Sequence, residues 1–217
     1  GALLFGVTGS GKTQIYLKLI DEAMKTDNGI VVMIPEISLT PQMLSLFYER
    51  YGDKVAVFHS SLSMGQRLDE WKRIKRGEAQ IAIGTRSAIF APFHELGLVI
   101  IDEEQEHTYK SEMTPRYHAK EVAQYRISCH NGLLLLSSAT PSIDTYTKAK
   151  SGMYSLFKLS QRYGNAVLPD VQLIDTTYQS DMVLENIKVH KAFQIITSKP
   201  DEILEFICNN KHRTDST

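Results

Sequence analysis

Cysteine, tryptophan, net charge and long apolar runs are all scarce in this 217-residue chain, and each scarcity removes a class of protein. The two cysteines, Cys129 and Cys208, lie far apart and fit no ligand spacing. They argue against a disulfide scaffold and against a zinc site, and make a reducing cytoplasm the default compartment. No apolar run approaches the roughly 18 residues that a membrane-spanning helix needs, and no secretory leader is visible. The formal net charge of −1 offers no global basic field to nucleic acid. A local basic groove on a near-neutral domain is compatible with that value. The single tryptophan, Trp71, falls in helical register with Leu68 and Lys75, so core packing is expected for it.

What is present is an alternation. Short apolar runs at Leu3 to Phe5, Ile30 to Ile34, Val55 to Phe58, Ile81 to Ile83, Leu98 to Ile101 and Leu133 to Leu136 are candidate strands. Continuous rather than alternating apolarity marks strands buried on both faces. Between them, Ile15, Leu19, Ala23 and Met24 share one helical face, as do Met43, Leu44, Phe47 and Tyr51, then Leu68, Trp71 and Lys75, and later Ala119, Val122, Ala123 and Arg126. Strands alternating with helices imply right-handed βαβ crossovers, hence an α/β, doubly wound, mostly parallel sheet with helices on both faces. Such sheets bind ligands beyond the carboxyl ends of their strands. The pattern supports one lobe over residues 1–175 and decays after Asp175. Residues 176–217 are expected to be a divergent extension, with a weak amphipathic segment at Ile203 to Ile207 and a disordered polar tail from Asn209 to Thr217. Opening directly on the apolar run from Ala2 to Phe5, the chain is expected to be a fragment of a longer protein.

The residues just after the apolar runs carry the chemistry. Gly6, Val7, Thr8, Gly9, Ser10, Gly11, Lys12 and Thr13 match the phosphate-loop pattern in full, between a strand and a helix. Glycines let backbone N–H groups turn inward around phosphate oxygens, and the following helix adds its positive N-terminal end. Lys12 is expected to reach the β- and γ-phosphates of ATP, and the Thr13 hydroxyl to ligate Mg²⁺. A second run, Leu98 to Ile101, leads straight into Asp102, Glu103, Glu104 and Gln105. Two carboxylates at a strand end are costly unless they bind a metal or a reactant. Beside a phosphate loop, Asp102 suits Mg²⁺ and Glu103 suits a general base for the attacking water. A third run ends in Ser137, Ser138, Ala139 and Thr140, small hydroxyl residues able to hydrogen-bond those carboxylates.

The order GVTGSGKT, then DEEQ, then SAT resembles superfamily 2 helicases of the DEAD/DEAH type. Three further segments narrow the resemblance to the PriA family of bacterial primosomal replication-restart helicases. They are Pro35 to Thr40, Gly84 to Pro92, and Tyr109-Lys110 together with Pro115 to Ala119. The resemblance covers roughly residues 1–175. It implies a RecA-like first motor lobe of an ATP-driven, 3′-to-5′ DNA helicase that rebuilds stalled forks in a bacterial, nucleoid-associated setting. Single-stranded and forked DNA, replication-restart proteins and single-stranded DNA-binding protein are the implied partners. In the family, N-terminal DNA-binding domains, a second motor lobe and a zinc-binding insertion accompany this lobe, so zinc is expected only there. A lone lobe lacks the arginine finger that a second lobe supplies, and should bind nucleotide weakly and hydrolyse it poorly. Gln105 stands where many relatives carry His, which puts coupling through Gln105, Ser138 and Thr140 in doubt. Gly84-Thr85-Arg86-Ser87 and Asp102 to Gln105 argue against the fork-reversal helicase RecG, where Gly-Thr-His and Asp-Glu-Gln-His are expected.

Phosphate contacts and aromatic stacking hold single-stranded DNA. Thr40, Arg86 and Ser87 are therefore candidates for gripping the backbone, and Tyr109, Lys110, Arg116 and Tyr117 (with His118) for stacking and charge neutralisation. The competing reading packs those tyrosines against the domain, as tyrosines often do. Lys72, Arg73, Lys75 and Arg76 are expected to be a solvated helix face, and His59 to be structural. A nucleotide-dependent DNA-binding module without ATPase activity is the alternative function.

Overall fold

The computed structural model describes residues 1–160. The expectations for residues 161–175 and for the 176–217 extension lie outside the described residues. Seven strands form one sheet: β1 (Ala2–Gly6), β2 (Gly29–Met33), β3 (Val55–Phe58), β4 (Ile81–Gly84), β5 (Leu96–Ile101), β6 (Leu133–Ser138) and β7 (Ser155–Leu159). Their order is β3-β4-β2-β5-β6-β1-β7, and every ladder is parallel. The five helices are α1 (Lys12–Ala23), α2 (Pro41–Tyr51), α3 (Met64–Lys75), α4 (Ala119–His130) and α5 (Ile143–Lys150).

Local chemistry sets the helix starts. Thr40 caps α2 by accepting from the Met43 amide at 3.3 Å, with Pro41 in the first turn. Ser63 and Gln66 cap α3 reciprocally. Ser142 caps α5 through the Thr145 amide. Asn131, in the left-handed region at φ 53°, ends α4.

All residues of β2, β3 and β4 are buried, which is why they read as unbroken apolar runs. Alternate strand residues feed two cores. Leu3, Val31, Met33, Val99 and Ile101 face one side with α4. Leu4, Ile30, Val32, Leu98 and Ile100 face the other with α1 and α2. At Gly84 a Cβ would stand 1.9 Å from the Phe58 carbonyl oxygen, so β3 and β4 close up only because that position has no side chain.

Two expectations are corrected, and one element is new. Trp71 is 41% exposed and Leu68 50%, and α3 anchors itself instead through Ile74. Helical period gave the right element but the wrong inward direction. The α1 face that is fully buried is Tyr16, Leu17 and Ile20, while Ile15, Leu19, Ala23 and Met24 pack only at its margin. The edge strand β7 was not foreseen, because its residues are half-exposed and carry no continuous apolar run.

Candidate nucleotide site and nucleic-acid face

The sheet order sets three loops side by side. β6 lies between β1 and β5, with Phe5 opposite Ser138 and Leu136 opposite Ile101. The carboxyl ends of these strands release Gly6 to Gly11, Ser138 to Pro141 and Asp102 to Gln105. The nucleotide-site residues expected from sequence therefore converge at the carboxyl end of the sheet.

Gly9 and Gly11 have φ of 78° and 87°, a conformation L side chains rarely adopt, and a Cβ at either would meet nothing within 4 Å. Those two glycines answer to backbone conformation rather than crowding. Gly11 is the N-cap of α1, and no side chain caps that helix end. Its amides are thus left for an outside acceptor. The Ser10 hydroxyl is buried without a partner. Lys12 is nearly buried, and its ammonium donates to the Gly6 carbonyl at 3.0 Å and to Glu103 Oε1 at 3.2 Å. This loop fits a polyphosphate, with unused donors and a cation already at its centre.

Glu103 is half-buried and the other side of its carboxylate accepts from Gln105 Nε2 at 3.1 Å. Ser138 donates to Gln105 Oε1 at 2.5 Å and accepts from the Thr140 amide at 2.8 Å. Gln105 can therefore bridge Glu103 and β6 through both ends of its amide. Thr140 itself is exposed, and it enters the chain through its backbone.

Two residues that the sequence reading passed over organise the carboxylates. The Tyr16 hydroxyl on α1 lies 2.6 Å from Asp102 Oδ1 and 2.6 Å from Ser137 Oγ. Its one proton goes to the carboxylate, and the serine proton returns to the phenolic oxygen. Burial raises the Asp102 carboxyl above the ordinary range, and neighbouring Glu103 adds to that. The Tyr16 hydrogen bond and Lys12 oppose the shift. Tyr16 is pushed far upward by burial and then by Asp102. A desolvated carboxylate held by one phenol suits a divalent cation, which would reverse the burial penalty on its charge. The second overlooked residue, Glu104, is buried and points away from this site. A tyrosine in the first turns of α1 and a third acid after β5 were visible in sequence, but nothing in their spacing distinguished them.

Packing divides the nucleic-acid candidates. Tyr109 is a correction: it is 1% exposed, and its hydroxyl reaches the Asp102 carbonyl at 2.6 Å and the Met33 carbonyl at 3.1 Å. A buried phenol needs partners, and these backbone oxygens fix it in the core rather than under a base. Tyr117 is half-buried in edge contact with Phe90, ring centroids 4.9 Å apart. Lys110 and Arg116 are exposed. Arg86 is half-buried and donates from one nitrogen to the carbonyls of Lys110 (2.9 Å) and Thr108 (3.3 Å). Arg86 and Ser87 line a cleft of about 250 Å³ with Thr85, Ser60, Glu36 and Arg67. Thr40 is exposed at the start of α2, on the same carboxyl side of the sheet. Phe90, 51% exposed, is the aromatic that sequence reading overlooked on this side. His59 is half-buried and offers its carbonyl to Arg67 at 3.4 Å.

Residues 2–149 match the DEAD/DEAH box helicase family. The chain is 51% identical over 173 residues to the replication restart protein PriA of Bacillus subtilis (strain 168), which covers 80% of this chain and 22% of that protein. It is 43% identical to the protein of the same name from Synechocystis, over 80% of this chain and 21% of that protein. The chain thus spans about a fifth of the length of these relatives. Among solved structures, RecG bound to a three-way DNA junction aligns with a TM-score of 0.52 at 22% identity, covering 80% of this chain and 22% of that one. The Pyrococcus furiosus Hef helicase domain aligns with a TM-score of 0.53 at 15% identity, covering 80% and 38%. These two likenesses speak for the fold. The family match, over residues 2–149, carries the assignment: the chain belongs to the DEAD/DEAH box helicase family.

Proposed function

We propose that the chain is the ATP-binding lobe of a 3′-to-5′ DNA helicase that acts in primosome assembly and the restart of stalled replication forks. The observation that carries this reading is the bridge from Lys12 to Glu103 to Gln105 to Ser138, which joins the phosphate loop, the acidic strand end and the end of β6. The similarity to proteins named replication restart protein PriA supports the biological setting. The partners in this reading are single-stranded and forked DNA, other restart proteins and single-stranded DNA-binding protein, in a bacterial cytoplasm near the nucleoid.

In this reading the backbone amides from Gly9 to Thr13 and the Lys12 ammonium bind the phosphates of ATP. Thr13 and Asp102 are the residues that would hold Mg²⁺, which neutralises charge on the phosphate oxygens when bound. Tyr16 keeps the Asp102 carboxylate aimed at the loop. Glu103 orients a water and accepts its proton. The Gln105–Ser138 link carries the state of Glu103 to the end of β6. On the opposite side of the same loops, Arg86 ties the 108–110 carbonyls to the segment bearing Ser87, so Thr40, Ser87, Lys110 and Arg116 form the face for the DNA backbone. An arginine from a second lobe adds roughly 10³–10⁵ to rate in this class of reaction. The chain by itself is therefore a slow ATPase.

The test is ATP binding and turnover by the chain, with and without single-stranded DNA, beside Lys12→Ala. Binding lost in Lys12→Ala, with turnover that DNA stimulates, is the expected result. Nucleotide affinity equal in the two proteins would overturn the reading.

A further inference from the structure

Glu103 is one of two non-glycine residues among those described that adopt a positive φ, at 44°. A side chain in that region is uncommon and costs conformational energy, so it persists only where its surroundings dictate it. On one side, Asp102 is fixed by Tyr16 and by its own amide, which donates to the Met33 carbonyl at 2.9 Å. On the other side stands Glu104, whose side chain is fully buried.

Glu104 is held from every direction. Its amide donates to the Ser137 carbonyl at 3.0 Å. Its Oε1 accepts from the Ser142 amide at 2.6 Å. Its Oε2 accepts from Lys120 Nζ at 2.7 Å, from Thr145 Oγ1 at 2.9 Å and from Ser142 Oγ at 3.1 Å. Four donors on one desolvated carboxylate leave it no freedom to rotate, and those donors come from the starts of α4 and α5. The α5 start is the segment that follows Ser138 and Thr140.

We propose that Glu104 is a positioning residue for hydrolysis: its buried knot with Lys120, Ser142 and Thr145 forces the left-handed turn at Glu103 and sets the distance from Glu103 through Gln105 to Ser138. The side-chain partners of Glu104 all lie at the starts of α4 and α5. Glu104 acts by pinning the turn from its far side, as Tyr16 pins the near side. The argument rests on the reading of Glu103 as the water-orienting group.

Three variants of the whole chain test it: Glu104→Gln, which puts an amide N–H against the Lys120 ammonium; Glu104→Gln with Lys120→Met, which removes that conflict; and Thr145→Val, which deletes one donor without changing shape. Two readouts are taken. The first is amide hydrogen exchange, without nucleotide, over residues 102–106 and 138–143 against residues 14–20 of α1. The second is kcat and KM for ATP with single-stranded DNA present. Glu104→Gln is expected to speed exchange at least tenfold in the first two segments only, and to lower kcat about tenfold with KM unchanged. The double variant should recover most of both, and Thr145→Val should show a smaller local increase. Exchange unchanged over 102–106, or raised equally in α1, would overturn the proposal, as would a kcat that stays at the wild-type value while local exchange rises. Absence of turnover in the wild-type chain would count against the proposed function instead. The exchange pattern would still decide whether Glu104 holds the turn.

Discussion

Tyr16→Phe isolates a single hydroxyl. The phenylalanine ring fills the same space, so no cavity opens in the core around Leu17 and Ile20. What is lost is the hydrogen bond to the Asp102 carboxylate and the partner of the fully buried Ser137 hydroxyl, each at 2.6 Å. A hydrogen bond to a charged group contributes about 1.5–3 kcal/mol, and Ser137 is left with an unmatched donor in the same place. A loss of about 2–3 kcal/mol follows, which for a domain of this size lowers Tm by roughly 4–12 °C. The functional consequence has a sign as well. The Tyr16 bond opposes the upward push that burial exerts on Asp102, so its removal raises the carboxyl further and weakens binding of Mg²⁺. Calorimetry without nucleotide reads the first effect. Titration with Mg²⁺ and ADP at two pH values reads the second, with the deficit of the variant shrinking as pH rises. A Tyr16→Phe protein that melts with the wild type would show that the phenolic proton does not reside on Asp102, and the account of how that carboxylate is aimed would fail.

Trp71→Ala should cost less than about 1 kcal/mol in urea unfolding, against the roughly 3–5 kcal/mol of a buried tryptophan, because its ring is substantially exposed on α3. Gly84→Ala should unfold the β3–β4 ladder or fail to accumulate, since its Cβ would overlap the Phe58 carbonyl; a soluble protein of wild-type Tm would contradict the strand spacing. Burial pushes the Glu104 carboxyl upward, but Lys120 and the Ser142 amide outweigh it and hold it below the ordinary carboxylate range. Its contribution to stability is therefore complete above the carboxyl's unfolded value and is lost as pH falls through the depressed one. Acid unfolding curves of wild type and Glu104→Gln should accordingly converge at low pH. Arg86→Ala should loosen the 108–110 segment, read as faster amide exchange there, because two of that segment's carbonyls lose their donor.

The sequence was informative where one residue type has one physical reason to be present. Glycines at positions 9 and 11 announce positive φ, and unbroken apolar runs announce central parallel strands, so the sheet and the backbone of the glycine loop after β1 were legible together. Legibility ended where direction, not type, decides. Trp71 and Tyr16 are both aromatic residues in helical register, yet one points to solvent and the other carries the site's carboxylate. Helical period fixes a face only when the face is uniformly apolar. α1 must bury a hydroxyl with its apolar residues, and that mixture hides it. Tyr109 was misplaced for the same reason: rings interleaved with lysine and arginine suit a nucleic-acid surface, but this ring's hydroxyl finds two strand-end carbonyls inside the fold. Its neighbours Lys110 and Arg116 then remain outside. The buried tyrosine therefore anchors the very loop whose charges it was expected to join, and the Asp102 backbone that receives its hydrogen bond belongs to the same residue whose carboxylate Tyr16 holds.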